Sequence, residues 1–124
     1  MREIKFRGKV KIGNRWIVGA YNQNSHSIAR YDGNHQDYNV DDNTVGKFTG
    51  LKDKNGKEIY EGDIVLQIGY NNKLVPMVVR FENGAFIVGY HNGSSTRKTP
   101  MLLSSKCEVT GNIFDNPELL EEKK

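Results

Sequence analysis

With 124 residues, 36% hydrophobic content and a net charge of +3, the chain has material for one domain with a modest core, since ordinary globular sequences are about 45–50% apolar. No window approaches the roughly 18 apolar residues of a membrane span, no basic-then-apolar leader opens the chain, and the single Cys107 leaves no internal disulfide, which fits a reducing cytoplasm. The net charge alone does not argue for nucleic acid, but residues 1–15 hold Arg2, Lys5, Arg7, Lys9, Lys11 and Arg15 against Glu3, while Asp115, Glu118, Glu121 and Glu122 outnumber Lys123 and Lys124 at the other end.

Residues 3–12 alternate. Ile4, Phe6, Val10 and Ile12 share one face around Gly8, and Lys5, Arg7, Lys9 and Lys11 share the other. Period two predicts a strand. Gly13-Asn14 fits a two-residue II′ turn, with a return strand over 16–21. That register sets Val10 opposite Ile17 and Phe6 opposite Tyr21 on the core face. On the outer face it sets Trp16 beside Lys11 and Val18 beside Lys9, where a cation–π contact would form. Residues 1–21 thus read as an N-terminal hairpin. Residues 22–44 are polar and read as a long loop with at most one short strand, near 27–31. Residues 41–44 are expected to cap a turn ahead of a short strand at 47–49, between Gly46 and Gly50.

Residues 45–114 carry the barrel. Asn55-Gly56 predicts a two-residue type I′ turn, because both central residues need positive φ. It would put Lys54 opposite Lys57 and Asp53 opposite Glu58. Glu61-Gly62-Asp63 is a second reversal, and a strand follows at 64–68. The next strand, 74–81, contains Pro76, which argues for an edge or a bulge. Asn83-Gly84 is another type I′ turn, returning through 85–90. Residues 91–100 read as loop, 101–103 as either a helical turn or a strand, and 107–114 as the last strand. In residues 115–124, Asn116 as cap, Pro117 at the first helical position and Glu118 predict a short helix that docks Leu119 and Leu120. The fold class is all-β: a small SH3-like or OB-like, partly open barrel with an N-terminal hairpin and a short C-terminal helix.

Three blocks of sequence carry a resemblance. They are Arg2-Glu3-Ile4-Lys5-Phe6-Arg7; Thr49-Gly50-Leu51-Lys52-Asp53 with Asn55-Gly56 and then Glu58-Ile59-Tyr60-Glu61-Gly62-Asp63-Ile64-Val65; and Gly111-Asn112-Ile113-Phe114 with Asn116-Pro117-Glu118-Leu119-Leu120. The chain resembles the YopX family of phage and prophage proteins. Thr110 stands where the family favours an aliphatic residue, and Phe114-Asp115 where Tyr-Glu is commoner. The resemblance implies a small β-rich protein of a phage or prophage in a Gram-positive host. It supplies no catalytic residues, because the family has no established activity.

Each candidate site has a plainer reading. Glu58, Glu61 and Asp63 could form a carboxylate cluster for a metal-dependent hydrolase, but acid–base work needs a held separation and shifted pKa values. Asp63 is read instead as bonding backbone amides at its corner, with Gly50, Asn55, Gly56, Gly62, Asn83 and Gly84 as the other turn and corner residues. The segment 32–37 lacks the glycine and glutamate of a calcium loop. His26, His35 and His91 lack metal-ligand spacing, and Cys107 reads as a packed thiol. The constellation with a partner hypothesis is Lys5, Arg7, Lys9 and Lys11 with Trp16: cations for phosphates and an aromatic for an unpaired base. Its plainer reading is a soluble outer face whose lysines guard an edge strand. The functional expectation is a non-enzymatic accessory module, without cofactor or membrane partner, that binds protein or nucleic acid in the host cytoplasm. Nucleic-acid binding through the basic face, hydrolysis at the Glu61/Asp63 corner and homo-oligomerisation remain the alternatives.

Overall fold

The computed structural model describes residues 4–30, 36–69, 72–89 and 101–120. Those residues form ten strands in two antiparallel sheets and one 3-10 turn, so the all-β expectation holds. The chain divides into two compact units, 1–50 and 51–124.

In the first unit, β1 (Phe6–Val10), β2 (Trp16–Asn22), β3 (Ser27–Arg30) and β4 (Asp37–Lys52) pair in that order, and β1 also pairs with β4. The four strands therefore close into a small barrel-like ring, which removes open edges. Val10, Ile17, Ile28 and Val40 fill it, with Tyr21, Tyr38 and Val45 packed around them. Gly8 faces this core because a Cβ there would lie 2.9 Å from Ile28 Cδ1 and 3.2 Å from both Val40 Cβ and Val45 Cγ2.

The hairpin register is two residues away from the expected one. Phe6 pairs with Gly19, Gly8 with Ile17 and Lys9 with Trp16. The connection is longer than a two-residue turn: the Val10 amide donates to the Arg15 carbonyl, and the Lys11 amide donates across to Asn39 on β4. A shift of two keeps every side chain on its face. It leaves Ile12 in the loop, 93% exposed, and Ile4 ahead of the strand, 66% exposed, so neither joins the core.

The polar segment expected to be loop holds the start of the longest strand, β4, which runs for 16 residues. The expected turn at 41–44 exists, but as a bulge inside that strand. Between Arg7 opposite Gly46 and Lys9 opposite Asp41, β4 carries extra residues. Thr44 Oγ1 donates to the Asp41 carbonyl at 2.6 Å and accepts from the Lys9 amide at 2.9 Å.

In the second unit, β5 (Glu58–Tyr60) follows the end of β4. The other strands order as β10 (Glu108–Asn112), β6 (Asp63–Ile68), β7 (Leu74–Glu82), β8 (Ala85–Gly89) and β9 (Met101–Leu102). Ile59, Val65, Met77, Val79, Val88 and Cys107 form its core. Asn83 and Gly84 both have positive φ, 52° and 82°, as a type I′ turn requires. Asn55-Gly56 is different. Only Gly56 has positive φ, at 85°. The Gly56 amide donates to the Asp53 carbonyl and the Asp53 amide to the Lys57 carbonyl, giving a three-residue turn that ends in a left-handed glycine. Asp53 therefore faces Lys57, and the expected like-charge pairs do not form. Pro76 lies opposite Leu66, and the ladder to β8 begins at Val78. The expected C-terminal helix is a single 3-10 turn, Pro117–Leu120. Asn116 Oδ1 accepts from the Asn112 amide behind it at 3.3 Å instead of capping forward. The segment 91–100 lies outside the described residues.

Candidate nucleic-acid interface

The outer face of β1 and β2 brings three of the five predicted binding residues together. Lys9 lies opposite Trp16 in the ladder. The Arg7 guanidinium carbon sits 4.9 Å from the Trp16 ring centroid and Lys9 Nζ 5.9 Å from it, within the roughly 6 Å reach of a cation–π contact. Arg7 Nε and Nη2 are shielded from solvent. The indole thus holds two cations on one strand face.

The other two predicted members lie elsewhere. Lys5 precedes β1, is 9% exposed and stacks on the Phe48 ring at 4.8 Å, so it belongs to the packing of the unit. Lys11 lies in the loop beyond β1 and is exposed, away from the ladder with Trp16.

Sequence reasoning missed a second cationic–aromatic group. Arg15, at the mouth of β2, and Arg30, at the end of β3, lie 5.6 and 5.8 Å from the ring of Tyr38 on β4. Beside this ring Val10, Lys11, Ile12, Arg15, Tyr38 and Asn39 line a depression of about 360 Å³. Its parts come from three stretches of sequence, one of them read as loop. Tyr38 two residues before Val40, in period-two spacing, was the available signal.

The charge is uneven. Residues 1–50 contain eight Lys and Arg against five Asp and Glu, and residues 51–124 contain ten against ten. The net +3 therefore belongs to the first unit. Among its acids, Asp42 is engaged: Tyr21 Oη donates to Oδ1 at 2.5 Å and His26 Nδ1 bonds Oδ2. The bond to Asp42, then burial, pushes the Tyr21 pKa up to about 12. The Tyr21 bond holds Asp42 below the usual carboxylate range, with His26 and Lys11 adding to it against a desolvation penalty.

The acidic corner of the second unit is built around backbone amides. Asp63, 1% exposed, accepts from the Tyr60 amide at 2.7 Å, and Glu58 accepts from Tyr60 Oη at 3.0 Å. Gly62 takes φ +93° at this corner and Gly50 takes +86°. Asp53, which sequence reasoning passed over, accepts from three amides: Asn55 and Lys57 on Oδ1 and Val109 on Oδ2, each at 2.9 Å. It ties the turn to β10. Cys107 is buried, and burial followed by the nearby Asp53 charge pushes its thiol up to about 11. Among the described residues no three His, Cys, Asp or Glu side chains cluster to hold a metal ion, and no helix is long and apolar enough to cross a membrane. His35, His91 and most of the segment 32–37 lie outside the described residues.

These features define a small all-β protein of two antiparallel sheets, whose first unit carries a basic face organised on aromatic rings. The chain belongs to the YopX family: the family model, described as YopX protein, matches residues 5–121. It is similar to protein EF1440 from Enterococcus faecalis, a crystal structure, at 25% identity and a TM-score of 0.59, covering 98% of this chain and 100% of that one. No curated protein matches.

Proposed function

We propose that this protein is a non-enzymatic binding module, encoded by a phage or prophage and acting in the host cytoplasm, whose first unit binds nucleic acid. The observation that carries this is the stacking of Arg7 and Lys9 on Trp16. Lys9, steadied by the indole, loses less rotamer freedom when it meets a phosphate. Arg7, with Nε and Nη2 shielded from solvent, holds the ring in place, and the ring offers a base a surface on which to stack. Two further points support it: the net positive charge falls in the same unit, and OB-like barrels use strand faces in this way. The non-enzymatic part is supported by Asp53 and Asp63, whose carboxylates bond backbone amides. The phage origin and location in the host are supported by membership of the YopX family.

The test is titration of a fluorescein-labelled oligothymidylate at several salt concentrations. Affinity should fall linearly on a log–log plot with a slope of about −0.7 per phosphate neutralised. Lys9→Glu with Lys11→Glu should abolish binding. Because Trp16 is the only tryptophan, its fluorescence should quench on binding. Salt-independent affinity, or a double variant that binds as the parent does, would rule the reading out.

A further inference from the structure

We infer that the nucleic acid is taken as an unpaired strand, one nucleotide of which seats in the depression beside Tyr38. This rests on the nucleic-acid reading above and deepens it, by naming single strands as the substrate and a second station for them.

The depression has the parts that one nucleotide needs. Its volume, about 360 Å³, falls at the lower end of ligand sites, which run from about 300 to 1,000 Å³. Tyr38 supplies a planar ring, half-buried and fixed by packing against the barrel core. Ile12 stands at the rim with 93% of its surface exposed, an apolar surface that a base lying against Tyr38 would partly cover. Lys11 and Arg15, both exposed, provide the phosphate contacts, and Arg15 is already held near the ring at 5.6 Å. Asn39 adds an amide, a group that can hydrogen-bond a base edge. Apolar wall, aromatic face and cations together suit a planar ring linked to a phosphate.

The strand pleat separates this station from the first. Lys9 pairs with Trp16 on the outer face, while its neighbour Val10 turns to the opposite face, packs in the core and lines the depression with Arg15. A flexible single strand can turn between two such surfaces. A duplex cannot offer its bases to either, because they are stacked inside it. Cations alone would bind both forms, so the two aromatics are what should separate them.

The test compares the labelled oligothymidylate with a self-complementary hairpin duplex. The single strand should bind at least about ten-fold more tightly. Tyr38→Leu should weaken single-strand binding about ten-fold, one stacked base being worth about 1–3 kcal/mol, without changing the salt slope or duplex affinity. Tyr38→Phe keeps the ring and should bind as the parent does, which separates lost stacking from damaged folding. Arg15→Gln should weaken binding and reduce the salt slope by about 0.7. Suppose single-strand binding is salt-dependent and lost in Lys9→Glu, yet indifferent to Tyr38→Leu and matched by the duplex. The Tyr38 station is then overturned while the basic face stands. Absence of binding to either probe overturns both.

Discussion

Gly8 is a glycine because its side-chain position is already filled. A Cβ there would press on Ile28 Cδ1 at 2.9 Å and on Val40 Cβ at 3.2 Å. The first can rotate away; the second is fixed to its backbone. Gly8→Ala should destabilise the protein by about 1–3 kcal/mol through overpacking, read as a lower urea midpoint at unchanged m-value. Gly19→Ala should cost more, because its Cβ would fall 1.9 Å from the Ala29 carbonyl oxygen, and that is backbone of the paired strand β3. Gly13→Ala meets nothing within 4 Å; only its φ of +91° opposes a side chain. A Gly8→Ala variant as stable as the parent would mean that the core is not as tight as these distances say. Asp53 acts through charge as well as shape. Burial alone would raise its pKa, but the amides of Val109, Lys57 and Asn55 hold it below the ordinary 3.8. A carboxyl lowered on folding adds stability above its unfolded pKa and loses it as the pH falls through the folded value. Stability should therefore drop as the pH falls below about 4. Asp53→Asn should be less stable at neutral pH by about 1–3 kcal/mol, since an amide nitrogen then faces a backbone donor, and should show a smaller acid-induced drop. Urea midpoints near neutrality and at about pH 3 separate the two effects.

The two Asn-Gly pairs are identical in sequence and differ as elements. At 83–84 both residues lie in the left-handed region, and at 55–56 only the glycine does. Asn83→Ala should cost about 1–2 kcal/mol, the penalty of a Cβ in that region, while Asn55→Ala should stay within about 0.5 kcal/mol. Urea denaturation of both variants checks this, and equal costs would contradict the turn assignment at 55–56. What decides between the turns is Asp53, whose carboxylate gathers the Asn55 and Lys57 amides and so selects the longer loop. A dipeptide rule does not contain that residue. The same limit explains β4. Along Asp37–Val40 the alternation is present, with Tyr38 and Val40 turned inward, but Asp41, Asp42 and Asn43 are all exposed and break it, and aspartate and asparagine are depleted in strands. The β1–β2 hairpin was legible from period two, and its faces were right. Its register was not, because β1 ends where Lys11 bonds Asn39 on β4, a partner 28 residues away in the chain. Trp16 with Arg7 and Lys9 was local enough to read. Arg15, Arg30 and Tyr38 meet only once the ring has closed.

At the scale of the whole molecule, a net charge of +3 raises a competing explanation for any affinity toward phosphates, since a uniformly positive protein attracts polyanions without a site. The uneven distribution makes the two separable. Each Lys→Glu change removes two charges, so Lys9→Glu with Lys11→Glu takes the chain from +3 to −1. Lys73→Glu with Lys106→Glu does the same from two exposed positions in the second unit. If affinity follows total charge, the two double variants should bind an oligonucleotide equally poorly. If the first unit holds the interface, the Lys73/Lys106 variant should keep affinity within a few-fold and retain the parental salt slope, because no phosphate contact has been lost. The Lys9/Lys11 variant should lose binding and its salt slope with it. Anisotropy titrations at two ionic strengths, run on both variants at matched stability, decide between a charged surface and a located site.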